Sequence, residues 1–113
     1  MKALSVRQPW AWAIVAGWKP IENRTWQTNH RGLLLIHAGL QYDRAGFEFL
    51  ESHAINTPDD LLRGGIVGRV QLIDITTDHP STWAQPGCFH WVLADPIQTP
   101  FRPMRGQLKL FEA

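Results

Sequence analysis

The sequence predicts an α+β domain of about five to six strands and two or three short helices, curled into a small barrel. Three observations carry that expectation. Apolar runs of strand length recur along the whole chain, whereas helical spacing is confined to its first two-thirds. No apolar run approaches the length that spans a bilayer. With 113 residues and 44% hydrophobic content the chain can bury one core, and no repeat or linker divides residues 1–113 into more than one domain.

Residues 3–6 form a short strand. Gln8-Pro9 then opens a helix, with proline near the first helical position, where its missing N–H costs little. Trp10, Ala13, Ile14 and Gly17 fall on helical spacing, and Gly17 suits a left-handed C-terminal cap. This helix is apolar nearly all round, which predicts burial on most sides. Residues 18–25 turn extended, with Pro20 at an edge or irregular position, and residues 27–32 are turn-like. Leu33-Leu34-Leu35-Ile36-His37 is a strand, too short for a typical helix.

A second helix is expected over residues 42–53, with Asp43 near its start and Phe49 and Leu50 facing inward. Thr57-Pro58-Asp59-Asp60 combines an N-cap, a first-position proline and first-turn acids, predicting a short helix over residues 57–62 that stops at Gly64-Gly65. Residues 66–75 make a long strand, with Val70, Leu72 and Asp74 on one face and Ile73 and Ile75 on the other. A polar, proline-bearing loop of flexible character spans residues 77–87. Strands over 89–94 and 107–111 complete the set, and Pro96, Pro100 and Pro103 confine the segment between them to edges.

Composition narrows the setting. The N-terminal residues lack the continuous apolar region of a signal peptide, and the lone Cys88 cannot form an internal disulfide. A cytoplasmic monomer that does not engage membranes is the expectation. The net charge is only +1, but it is unevenly spread. Residues 1–40 hold five basic residues against one acidic, and residues 41–80 hold three against seven. A basic first third carrying several tryptophans suits an anionic or aromatic ligand.

The chemistry concentrates in residues 17–24, Gly-Trp-Lys-Pro-Ile-Glu-Asn-Arg. Charges wedged between core-forming elements are costly to bury unless they are paired or used. On a regular strand Glu22, Arg24 and Trp26 share a face, and a bulge or turn at Pro20 would bring Lys19 beside Glu22. In a desolvated cleft Glu22 could activate a water while Lys19 stabilises an oxyanion or protonates a leaving amine. Alternatively Lys19 serves as the base. The same residues also fit a solvated ion-pair ladder on an edge strand. His37, on a buried strand, reads as a satisfied core histidine by itself. Cys88 and His90 fall short of a four-coordinate zinc set, so no metal and no cofactor are expected.

Gly17, Lys19, Glu22 and Arg24 fit the G-x-K-x-x-E-x-R signature of the ASCH domains, which are similar in fold to PUA RNA-binding domains. Ser5, Gln8, Pro9 and Trp10 resemble the family's S-x-x-Q-P-W element. Trp26, Thr28, Arg31 and Gly32, then Ile36-His37-Ala38, continue the pattern, and Gly68 and Arg105-Gly106 agree with it farther on. The resemblance implies a PUA-like β-barrel with a cleft lined by the signature. It points to Lys19, Glu22 and Arg24 as catalytic, and to Ser5, Gln8, Trp10, Trp26, Arg31 and His37 as substrate-binding.

Two activities go with that family: binding or cleavage of RNA, and hydrolysis of the exocyclic amide of N4-acetylcytidine and related N4-acylated cytosines by small bacterial members. The hydrolases keep the lysine, but their best-known branch has threonine where this chain has Glu22. Here Glu22 would combine tasks or borrow a group such as Asp74. The leading expectation is a metal-free amidohydrolase acting on a small nucleoside. The alternatives are a non-catalytic module for single-stranded RNA, with Arg7, Arg24 and Arg31 meeting phosphates, and a metal-independent ribonuclease.

Overall fold

In the computed structural model, which describes residues 1–113, β1 (Lys2–Gln8) leads through Pro9 into α1 (Trp10–Val15). Apolar on nearly every side, α1 buries Ala11, Ala13, Ile14 and Val15. It ends as its sequence demands. Gly17 takes φ +92°, its N–H reaches the Ile14 carbonyl (3.1 Å), and the Trp18 N–H reaches that of Ala13 (2.9 Å). This Schellman closure satisfies the helix's last carbonyls and needs a residue without a Cβ penalty. The Lys19 N–H bonds the same Ala13 carbonyl (3.0 Å), so the lysine backbone is fixed to the helix end.

The remaining elements are β2 (Ile21–Arg24), β3 (Gly32–Tyr42), α2 (Arg44–Ser52), β4 (Gly65–Thr76), β5 (Phe89–Pro103) and β6 (Leu110–Glu112). The six strands form one sheet in the order β2-β5-β4-β3-β1-β6. The β1–β3 pair is parallel and every other pair antiparallel. Leu4 and Val6 of β1, Leu34 and Ile36 of β3 and Trp91 of β5 enclose a core against α1. No helix is long and apolar enough to cross a membrane.

The sheet curls without closing. β6 covers β1 only along residues 2–4, which leaves residues 5–8 without a partner strand on that side. Across this seam lies the other edge strand, β2, and Arg24 bridges the gap by donating from Nη2 to the Ser5 carbonyl (2.8 Å). The expected barrel is therefore a curled six-stranded sheet with one open seam.

Local differences from the sequence reading have physical causes. Residues 57–62 make only a turn at Asp59-Asp60, so there are two helices. That segment is too short to nucleate alone, and with Leu62 52% exposed it has no apolar face to bury. α2 starts later than expected because Tyr42 completes β3 and Asp43 is extended (φ −101°, ψ 102°). A bulge between Leu72 and Asp74 breaks the alternation of β4, so Ile75 rather than Asp74 packs on the core. Pro96, Pro100 and Pro103 lie inside β5, in the part that pairs only with β4.

Gly68 marks the tightest crossing. A Cβ there would sit 2.4 Å from the Ile97 carbonyl oxygen and 2.6 Å from Val15 Cγ1. Backbone cannot yield as a side-chain tip can. Gly68→Ala is therefore expected to destabilise the fold by about 1–3 kcal/mol through overpacking. The shift is read as a lower denaturant midpoint at unchanged m-value.

Candidate active site

The turn from α1 into β2 delivers Lys19 and Glu22 to the same place. Pro20 separates the lysine from the strand proper, and Lys19 Nζ donates to Glu22 Oε1 (2.8 Å) and to the Ile21 carbonyl. Both residues are buried, at 6% and 7% exposure. Two residues on, Arg24 returns to the other carboxylate oxygen, with Nε 3.0 Å and Nη2 2.7 Å from Glu22 Oε2. The Asn23 N–H also reaches Oε1 (3.2 Å). Four donors thus occupy the roughly four lone-pair directions of one carboxylate. Burial by itself pushes the Glu22 carboxyl up, but the Lys19 and Arg24 charges and hydrogen bonds outweigh it and hold it at about 2.

Around this cluster opens a cleft of about 1170 Å³ at the seam of the sheet. Trp10 forms one wall, with Lys19 Nζ 5.5 Å over its ring. Its Nε1 donates to Asp43 Oδ2 (2.8 Å), and Phe49 packs beside it at 5.7 Å between centroids. Gly46 makes the seat, since a Cβ there would lie 2.9 Å from Trp10 Cε2. Trp26 lines the cleft too and is held edge-on against the buried Trp91 (4.9 Å). Residues 82–86 line the cleft as well, with Trp83 packed on Phe49 at 5.4 Å between centroids. That loop is tied down: Asn23 donates to the Trp83 carbonyl (3.0 Å) and accepts the Gln85 N–H (2.8 Å), while His90 Nδ1 accepts the His79 N–H (3.2 Å).

Of the residues singled out in the sequence, Lys19, Glu22, Arg24, Ser5, Trp10 and Trp26 line the cleft. Gln8, Arg31 and His37 do not. Gln8 is buried and caps α1, its Oε1 accepting the Trp12 N–H (2.9 Å) and its Nε2 donating to the Leu62 carbonyl (2.9 Å). Arg31 is exposed and closes its own turn on the Thr28 and His30 carbonyls. His37 is buried between the Ser5 hydroxyl (2.7 Å at Nδ1) and the Met104 carbonyl (2.7 Å at Nε2). Asp74 is exposed on β4, outside the cleft. Asp43, Phe49 and Trp83 were not legible as lining. A tryptophan stranded in a polar loop was the one available signal for Trp83. No group of three or more His, Cys, Asp or Glu residues is placed to hold a metal ion.

The ASCH domain matches residues 4–109, nearly the whole chain. This chain belongs to the ASCH domain family. Its ASCH domain is 38% identical over 79 residues to activating signal cointegrator 1 of Homo sapiens, and 37% identical to that of Mus musculus. Each match covers 63% of this chain but only 14% of the relative. In fold it is similar to the crystal structure of a mutant ZmASCH protein from Zymomonas mobilis, with a TM-score of 0.63 over 97% of this chain and 87% of that one. At 14% identity that likeness concerns the fold alone.

The charge cluster of this ASCH domain makes a pH-dependent contribution to stability. Because the Glu22 pKa is lowered on folding, the contribution is complete above 4.5 and is lost as pH falls towards about 2. Glu22→Gln leaves the buried Lys19 and the partly exposed Arg24 without their anionic partner and is expected to cost about 3 kcal/mol at neutral pH. The gap between wild type and variant should then narrow across that acid window in denaturant titrations. Glu112, held at about 2 by hydrogen bonds from Lys2 and the N-terminus, is common to both proteins and cancels.

Proposed function

We propose that this ASCH domain hydrolyses the exocyclic amide of N4-acylated cytosine nucleosides, converting N4-acetylcytidine to cytidine and acetate. The observation that carries the reading is the Lys19–Glu22–Arg24 cluster, with its Lys19–Glu22 pair buried, in the lining of an aromatic cleft. A planar acylated base suits walls made by Trp10, Trp26 and Trp83, since every base presents a face for stacking. Lys19 commits two of its three N–H donors to Glu22 and the Ile21 carbonyl, which leaves one for the amide oxygen as negative charge develops there. Glu22 holds Lys19 and Arg24 in register, and with its lone pairs filled it is an anchor more than a proton carrier.

Three further observations favour a second reading. The cleft exceeds the space one nucleoside needs, exposed Arg7 lines it, and Lys109 lies 5.8 Å over the Trp26 ring. Those features suit a stretch of single-stranded RNA. The two readings separate cleanly. Purified protein mixed with N4-acetylcytidine should release cytidine, and Lys19→Met should lower kcat/KM by about 10²–10³-fold, as loss of one oxyanion donor does. Absence of turnover across a panel of N4-acyl cytidines, together with RNA binding that weakens linearly in log salt, would select the RNA-binding reading.

A further inference from the structure

Two carboxylates line the cleft, Glu22 and Asp43, and they differ in what is left free. Every lone-pair direction of Glu22 is taken by Lys19, Asn23 or Arg24. Asp43 takes part in no ion pair; its Oδ2 accepts the Trp10 indole N–H, and its Oδ1 has no protein donor. Its position makes this arrangement notable. Asp43 is the N-cap residue of α2, where an aspartate ordinarily turns its side chain back onto the helix N–H groups, yet it makes no such bond. The side chain is given to Trp10 instead. Gly46, one turn into α2, donates its N–H to the Asp43 carbonyl and lacks the Cβ that would displace the indole.

On these grounds we infer that Asp43 is the proton acceptor of the cleft; the inference rests on the amidohydrolase reading above. Water attacks the acyl carbon, Asp43 Oδ1 takes one of its protons, and the carbonyl electrons move onto oxygen beside the Lys19 ammonium. Collapse of that intermediate breaks the C–N4 bond, and Asp43 passes its proton to N4. The products are the free cytosine amine and the carboxylic acid, which loses its proton to solvent. Trp10 is a positioning residue in this scheme, because it touches Asp43 and fixes which oxygen stays open.

Asp43→Ser tests the assignment, because serine is well suited to the N-cap position and removes the carboxylate, while α2 loses no side-chain cap bond by the change. Circular dichroism and thermal unfolding should match wild type. For N4-acetylcytidine, kcat should fall by about 10²–10⁴-fold with KM nearly unchanged, and added formate should restore part of kcat where chloride does not. Asp43→Asn should lose kcat similarly. Wild-type kcat in either folded variant, or a folded Asp43→Ser enzyme that formate leaves inactive, overturns the role of Asp43 alone. A wild-type protein that hydrolyses no N4-acyl cytidine overturns the amidohydrolase reading and this role together.

Discussion

Taking Lys19 and Glu22 almost wholly out of water is unfavourable unless each charge is answered, and the backbone between them is shaped to answer both. The Gly17 cap ends α1 and pins the Lys19 N–H to Ala13, Pro20 breaks the path, and β2 then begins at Ile21. The carboxylate and the ammonium meet because of that sequence of constraints, not because of strand alternation. Arg24, in phase with Glu22 on β2, completes the cluster from the other side. Removing Glu22 would leave the Lys19 ammonium, only 6% exposed, without its charge partner.

The same cluster governs where the sheet stays open. The edge strands β2 and β6 do not pair with each other, and β6 covers β1 along residues 2–4 only. The unpaired carbonyl of Ser5 is met by the Arg24 guanidinium, so a side chain fixed by Glu22 does what a strand would otherwise do. A seam bridged by one side chain leaves room beside it, and the cleft occupies that room. Fold and candidate site are thus coupled through one carboxylate, which is why its substitution should register in stability as well as in the shape of the cleft.

What could be read from the sequence was what local rules decide. The helix cap at Gly17, the turn at Pro20, and the meeting of Lys19 with Glu22 all follow from spacing and backbone preference within a few residues. Residues 57–62 show the limit of such rules: the cap and first-turn acids were present, but no packing partner was. Gln8, Arg31 and His37 carry motif positions yet serve α1, a turn and the Met104 segment respectively, partners that lie up to 67 residues away. Asp43 and Trp83 enter the cleft only through tertiary placement of α2 and the 82–86 loop, which no local pattern encodes.

The charges around the cleft also bear on what it would hold. Arg7, Lys19 and Arg24 stand against Glu22 and Asp43, and two of the three cations are already bonded to Glu22. A polyanion gains affinity chiefly by neutralising several phosphates with free cations. Here only Arg7 among the lining cations has no acidic partner, with Lys109 nearby over Trp26. An uncharged planar ligand loses nothing in such a setting, and it would benefit from a fixed ammonium only when negative charge appears during reaction. Differential stabilisation of that kind accelerates chemistry without tightening the ground state, and it is the electrostatic argument for a neutral acylated base over a long RNA in the proposed reading.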